Sequence, residues 1–470
     1  MQLFFMRINR LKSSLPFLFL TLLTLTALFI VPDRQPVRMG AAFEYDRADM
    51  VWVLVCTALV FLMTPGLAFF YGGMVNRKNV ISTMIKSVVA AGVVGVLWVV
   101  VGFSLSFGDT VGGFIGNPWT YPYFKGVVSA RAWPLADSIP LTEFALFQLM
   151  FAVITPGLVV GAVAERIRFT AYILFIVLFS LLVYAPVAHW SWHPDGYLSK
   201  MGAWDFAGGT VVHITAGCAA LAGALTLKRR KIHRIQTDIP PANIPYVLIG
   251  TGLLWFGWFG FNAGSAAGIN HLAVNAFGTT NTAAAAGGLA WMFFDVMKGK
   301  KPSVIGFCIG AVVGLVAITP SSGFVGLPQS IAIGVIGSIV SNIAVSIKQR
   351  STLDDTLDVF PCHGVGGMTG MLLTGVFANK LVHGMASGPQ GLAYGNPGFL
   401  LTQLKAMTIV ATYSFLVSLL IFRFINILLP IRVTELEEDE GLDLTQHNEN
   451  YVQGTLLVKN MEQLEERQLN

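Results

Sequence analysis

Apolar runs of 18 residues or more recur from end to end of this sequence, and short basic segments separate them. A run of that length is what an α-helix needs to cross the roughly 30 Å hydrocarbon core of a bilayer. In lipid the backbone N–H and C=O groups find no water, so each run must satisfy its own hydrogen bonds as a helix. Charged residues make up 12 % of the chain, against about 25 % in soluble globular proteins. The 49 glycines point the same way, because small residues let helices approach closely where lipid gives no hydrophobic drive to pair. The fold class is therefore an all-α polytopic membrane protein.

After the first 31 residues, eleven spans are expected, near 48–74, 80–107, 141–163, 169–190, 207–227, 243–262, 271–297, 302–320, 328–347, 361–380 and 398–427. The loops alternate in positive charge. One set holds Arg77, Lys78, Arg166, Arg168, Lys228, Arg229, Arg230, Lys231, Arg234, Lys298, Lys300, Lys301, Lys348 and Arg350; the other holds little beyond Lys125, Arg131, Lys200 and Lys380. The positive-inside rule makes the first set cytoplasmic. That puts the N-terminus of the core outside and the C-terminus inside, in agreement with an odd number of spans.

Arg7, Arg10 and Lys12 precede an apolar stretch from Leu15 to Val31, so residues 1–31 read as a signal peptide or an anchor helix. Residues 48–430 form the transmembrane domain, and the acidic, polar segment 431–470 a cytoplasmic tail. Cys56, Cys218, Cys308 and Cys362 are scattered among apolar segments and fit neither a disulfide framework nor a zinc site. The net charge of +5 lies in loop clusters and is no nucleic-acid signature. No cofactor is expected.

Two segments echo each other. Asp205 precedes His213 by eight residues and Gly217 follows four later; Asp355 precedes His363 by eight and Gly367 follows four later. "ITP" occurs at 154–156 and again at 318–320. Each pair lies five spans apart, and an odd offset inverts one half against the other. This is the five-plus-five inverted repeat of many transporters, which place their substrate path at the repeat interface.

His213 and His363 are the leading functional candidates, since ionisable groups inside spans usually face a pathway. Two histidines without a third ligand make a poor metal site. Asp205 opens its span, where a carboxylate caps free N–H groups and also attracts cations. Trp192, in "HWSWHPDG", follows the fourth span on the external side, where an aromatic face holds a cation. "WFGWFGFNAGSA" at 255–266 supplies phenylalanines able to plug a pore and a hydroxyl at Ser265.

Taken together, "TPGLAFFYGGMVNRKNV" (64–80), "GAVAERIRF" (161–169), "DFAGGTVVHITAG" (205–217), "GWFGFNAGSA" (257–266), "DVFPCHGVGG" (358–367) and "GLDLTQHNENY" (441–451) resemble the ammonium transporter (Amt/Mep/Rh) family, on its bacterial Amt side. The resemblance implies a homotrimer in the cell (inner) membrane with one pore per subunit. It implies an external ammonium site at Trp192 and Ser265 with Phe147 at the vestibule. It also implies a gate of Phe151 and Phe261, pore histidines His213 and His363, and the family's carboxylate at Asp205. Phe147 and Phe151 are one helical turn apart, and Phe261 precedes Ser265 by four. The tail resembles the segment under the pore mouths, a surface that receives a PII-type regulator in bacteria. Two departures stand out: a second tryptophan, Trp190, in the external loop, and Cys362 where Val is common before the second histidine.

The expected activity is ammonium transport. A bare cation in an apolar pore is costly, and burial favours the neutral form of a basic group. Deprotonation at the mouth would admit ammonia and reject potassium, which has no proton to give. Histidines inside would then offer hydrogen bonds and a proton relay. A sensor with little flux, a membrane enzyme and a neutral-gas channel are the rival readings. The enzyme reading lacks any GxSxG, HExxH or CxxC motif.

Overall fold

The structure is a computed structural model and describes residues 17–30, 45–235, 240–385 and 388–451. Its longer helices run in chain order as α1 (Phe17–Leu28), α2 (Arg47–Met74), α3 (Arg77–Phe107) and α4 (Leu141–Val163). Then come α5 (Phe169–Lys200, interrupted by a turn at 193–196), α6 (Gly209–Leu227) and α7 (Ile244–Ala266). They continue as α8 (His271–Met297), α9 (Val304–Ile318), α10 (Leu327–Gln349), α11 (360–377) and α12 (Pro397–Leu428). Two short helices, α13 (Glu435–Glu440) and α14 (Leu442–His447), form the described part of the tail. The one named sheet among the described residues is a hairpin pairing Thr110–Val111 with Ile115–Gly116.

Helix is present in each of the eleven expected segments. Among the described residues, eight helices are long and apolar enough to cross a membrane. The other three differ for visible reasons. Helix α9 has 15 residues, α11 is built from pieces of 6 and 12, and α8 carries Asn275, Thr279, Thr280, Asn281 and Thr282. Of the leader, α1 alone is described; a cleavage point near residue 31 lies outside the described residues.

Side chains just ahead of the helices start several of them. Asp46 accepts from Ala48 N (2.8 Å) and Asp49 N (3.0 Å) to open α2. Asn243 does so for α7, Asn270 for α8 and Ser303 for α9, each taking N–H groups that have no partner in the first turn. Burial then sorts the helices. In α4 and α6 the most apolar window is 83 % buried, whereas in α12 it is 33 % buried, so α4 and α6 form the centre and α12 the rim.

The tail returns to the ends of the bundle helices. Arg168 N donates to Ile431 O (2.9 Å) and Val433 N to Arg166 O (3.0 Å). Beyond this, Arg168 pairs with Glu437, Arg234 with Glu435 and Lys231 with Asp439, while Arg432 donates to Glu438 at 2.6 Å. Loops 77–79, 166–168 and 228–234 thus share one face with the C-terminal segment.

Candidate functional site: a column of aromatic and imidazole rings

The two Asp–His–Gly segments fold alike. In α6 the residues Gly209–Ile214 form a π-turn, and in α11 the residues Phe360–Val365 form another. Such wide turns inside α-helices are uncommon and gather at functional sites. Each is started by its aspartate. Asp205 accepts from Gly208 N (2.9 Å), Gly209 N (2.7 Å), Thr210 N (2.7 Å) and the Thr210 hydroxyl. Asp355 accepts from Val359 N (3.0 Å) and Phe360 N (2.7 Å). The chain enters through left-handed residues, Gly208 (φ 113°) and Asp358 (φ 58°).

The two helices cross where the sequence places glycine. A Cβ on Gly217 would lie 2.2 Å from Gly364 N and 2.3 Å from its Cα, so only glycine fits. This crossing brings His213 against His363, with Nδ1 to Nδ1 at 3.3 Å and ring centroids 5.4 Å apart. One imidazole donates its N–H and the other accepts. His213 Nε2 is buried and has no hydrogen-bond partner.

Above the histidines the rings continue. Phe261 lies 6.0 Å from His213 and 4.4 Å from Phe151; Phe151 lies 5.7 Å from Trp192 and 5.0 Å from Phe147, centroid to centroid. Trp192 Nε1 donates to Asp205 O (3.1 Å), which fixes the indole. Ser265 donates its hydroxyl to Phe261 O (2.9 Å), leaving the oxygen lone pairs free to accept. Phe147 sits against Gly264, so that loop and α4 meet at the same level. Below the phenylalanines, a cavity lined by His213, His363, Trp258, Phe261, Val312 and other apolar side chains has a free volume of about 10 Å³, close to that of one water-sized molecule.

The structure therefore brings Trp192, Phe147, Phe151, Phe261, Ser265, His213 and His363 into one column. Asp205 stands beside it with its carboxylate turned onto the backbone, which is the capping role. Trp190 points elsewhere: its Nε1 donates to Phe114 O (2.6 Å) and its ring packs on Tyr413. Sequence reasoning missed Trp258, whose ring stacks on His213 at 5.3 Å and whose Nε1 donates to Thr319 Oγ1 (2.9 Å). The signal was present, since Trp258 precedes Phe261 by three and shares its helix face.

A largely helical chain with, among the described residues, eight helices long and apolar enough to cross a membrane is a multi-pass membrane protein. The comparisons then give its family. A sequence model described as the Ammonium Transporter Family matches residues 51–452. The ammonium transporter of Aquifex aeolicus is 46 % identical over 408 residues, covering 86 % of this chain and 93 % of that protein. The crystal structure of Candida albicans Mep2 superposes with a TM-score of 0.78 at 37 % identity, covering 84 % of this chain and 88 % of that one. A structure titled "Sensor Amt Protein" matches with a TM-score of 0.77 at 30 % identity, covering 85 % and 98 %. The chain belongs to the ammonium transporter family, a family of transporters and not of enzymes.

Proposed function

We propose that this protein takes ammonium from outside the cell, removes a proton from it at the column's mouth, and conducts ammonia past the histidine pair. An imidazole nitrogen of the pair accepts that proton, which then passes from ring to ring, making transport electrogenic. The observation that carries this reading is the unbroken run of rings from Trp192 through Phe151 and Phe261 to His213 and His363. Ammonium sits on the Trp192 face, where cation–π attraction reaches about 2 kcal/mol once desolvated. It donates one N–H to Ser265 Oγ, whose own hydrogen is already committed to Phe261 O. Phe147 closes the vestibule around it. Asp205 orders the backbone that holds Trp192 and adds negative charge at the mouth.

Phe151 and Phe261, 4.4 Å apart, then stand across the path and must turn to let a molecule through. A cation entering beneath them would lose its water among apolar walls, a large cost that ammonia escapes. Potassium cannot shed its charge and is rejected. Inside, His213 and His363 offer the only imidazole donors and acceptors that line the cavity. A shared Nδ1 hydrogen bond lets a proton taken up on one ring leave from the other.

The same reading includes eleven crossings with an inverted repeat, the N-terminus of the core outside and the C-terminus inside. The basic loops bound to the tail support that orientation. It also includes a homotrimer in the cell (inner) membrane, a transmembrane domain over 48–430, a cytoplasmic tail over 431–470 and a PII-type regulator on that face. An ammonium pulse on proteoliposomes tests it. A saturable current for ammonium and none for potassium is expected, with His213→Ala losing the current or the selectivity. Unchanged current and selectivity in His213→Ala would end the relay; no transport by the wild type would favour a sensor.

A further inference from the structure

Glu143 opens α4 on the external side, one turn before Phe147 and two before Phe151. Residues at i, i+4 and i+8 lie along one helix face, so Glu143 shares the face that carries the two phenylalanines of the column. It is buried, with 5 % of its surface exposed, and its Oε1 has no hydrogen-bond partner. Its neighbours are the start of α2, through the backbone of Leu54, and the carboxylate of Asp49. Asp49 is committed: it accepts from Ile269 N (2.8 Å) and lies against Gly268, tying down the loop that carries Ser265. Glu143 has no such structural employment on Oε1. No arginine or lysine is paired with it among the described residues.

A buried carboxyl oxygen without a donor is costly and is kept where a donor arrives from outside. Ammonium brings a positive charge and four N–H donors. We infer that Glu143 is a further recruitment residue, which draws ammonium into the vestibule and hands it to Trp192 and Ser265. The inference rests on the transport reading above. Glu143 acts before the gate, so it sets the concentration at which transport saturates and leaves the maximal rate alone.

The test uses the full chain in proteoliposomes, with ammonium chloride as the probe and transport read as current and as internal pH. Glu143→Gln is expected to raise the half-saturating ammonium concentration about five- to tenfold, the worth of one charge-assisted hydrogen bond at a partly wet mouth. The plateau should stay the same. Added inert salt should shift half-saturation more in the wild type than in Glu143→Gln, because the variant has one charge fewer near the mouth to screen. Unchanged half-saturation in the variant, or a lower plateau alone, overturns the proposal. If Glu143→Gln does not yield folded protein, Glu143→Asp decides. It keeps the charge one methylene further back, so a shifted half-saturation with a normal plateau supports the role and no shift overturns it. Absence of transport in the wild type would instead strike the reading on which the inference rests.

Discussion

The two aspartate-to-histidine segments have the same spacing and the same π-turn, yet they are buried in different ways. At Asp205 the carboxylate is half-buried and saturated by four bonds of 2.9 Å or less from its own turn. It needs no counter-charge. At Asp355 the carboxylate is fully buried, takes only two backbone bonds, and sits inside a charge cluster. There Lys348 donates to Asp355 O (2.9 Å) and pairs with Asp358 at 2.7 Å. Beside them Arg230 bridges Glu165 (2.6 Å) and Asp354 (2.9 Å), and Arg166 donates to Asp354 O (2.5 Å). One repeat thus solves the burial of an acid with hydrogen bonds alone, and the other with neighbouring cations. The first solution leaves the Asp205 carboxylate without a paired arginine or lysine among the described residues.

The comparison breaks most visibly at Arg230. Removing it leaves Glu165 and Asp354 buried and unpaired, and such losses cost about 3–5 kcal/mol. Arg230→Ala should therefore lower the unfolding temperature sharply and reduce the yield of folded protein on size exclusion. A normal melt would show that the cluster is dispensable. Next in size is the cap at Asp205. Asp205→Ala takes the acceptor from four donors at once and should cost about 2 kcal/mol, the upper end for a helix cap. It should also abolish transport, because the loop that fixes Trp192 loosens with it. Asp355→Asn should cost about 1 kcal/mol, the lower end for an unsatisfied buried donor, since its one amide oxygen replaces only one of the two oxygens that accept from Val359 N and Phe360 N.

Titration sharpens the same contrast. Burial pushes the Asp355 carboxyl up to about 6, with Lys348 opposing the shift. The unfolded chain releases that proton near the ordinary value of about 4. Between these values the folded state binds more protons, so this group's contribution to stability falls as pH rises from about 4 to about 6 and is level above. For Asp354 burial alone would raise the value, but Arg166 and Arg230 outweigh it and hold it low. Its contribution has the opposite sign and is lost only as pH falls below about 4. Melting temperatures at pH 4.5 and 6.5 should therefore differ less in Asp355→Asn than in the wild type. An equal difference in both would remove Asp355 as the source.

Much of this was legible in the sequence. The apolar runs gave the helices because lipid leaves a chain few choices, and the eight-residue interval from aspartate to histidine matched two segments to each other. Phe261 and Ser265 stood out in their own segment, whereas Phe147 and Phe151 were implied by the family resemblance, with their four-residue spacing in agreement. The π-turns were not legible, since nothing in "GTVVHI" or "FPCHGV" marks a turn one residue wider than usual. Trp258 was hidden by its surroundings: among ten tryptophans, stacking on a histidine is a tertiary fact. Glu143 was passed over because an acid at a helix start reads as a favourable dipole partner. Only its burial and its unpartnered oxygen separate it from that role.

The smallest expected effect lies where charges are most numerous. Glu437 pairs with Arg168 at 3.1 Å, both side chains about a quarter exposed, and it also closes the capping box of α13 with Thr434. Pairs so exposed are worth about 0–1 kcal/mol, and glutamine serves in a capping box as well as glutamate. Glu437→Gln should thus leave the melting temperature within about a degree or two of the wild type. It contrasts with Arg230, whose partners sit in the same layer of basic loops yet are buried. If Glu437→Gln instead melted the protein as Arg230→Ala does, exposure would not be what separates the two sites. The tail would then have to be a structural element of the bundle and not a segment laid over its basic loops.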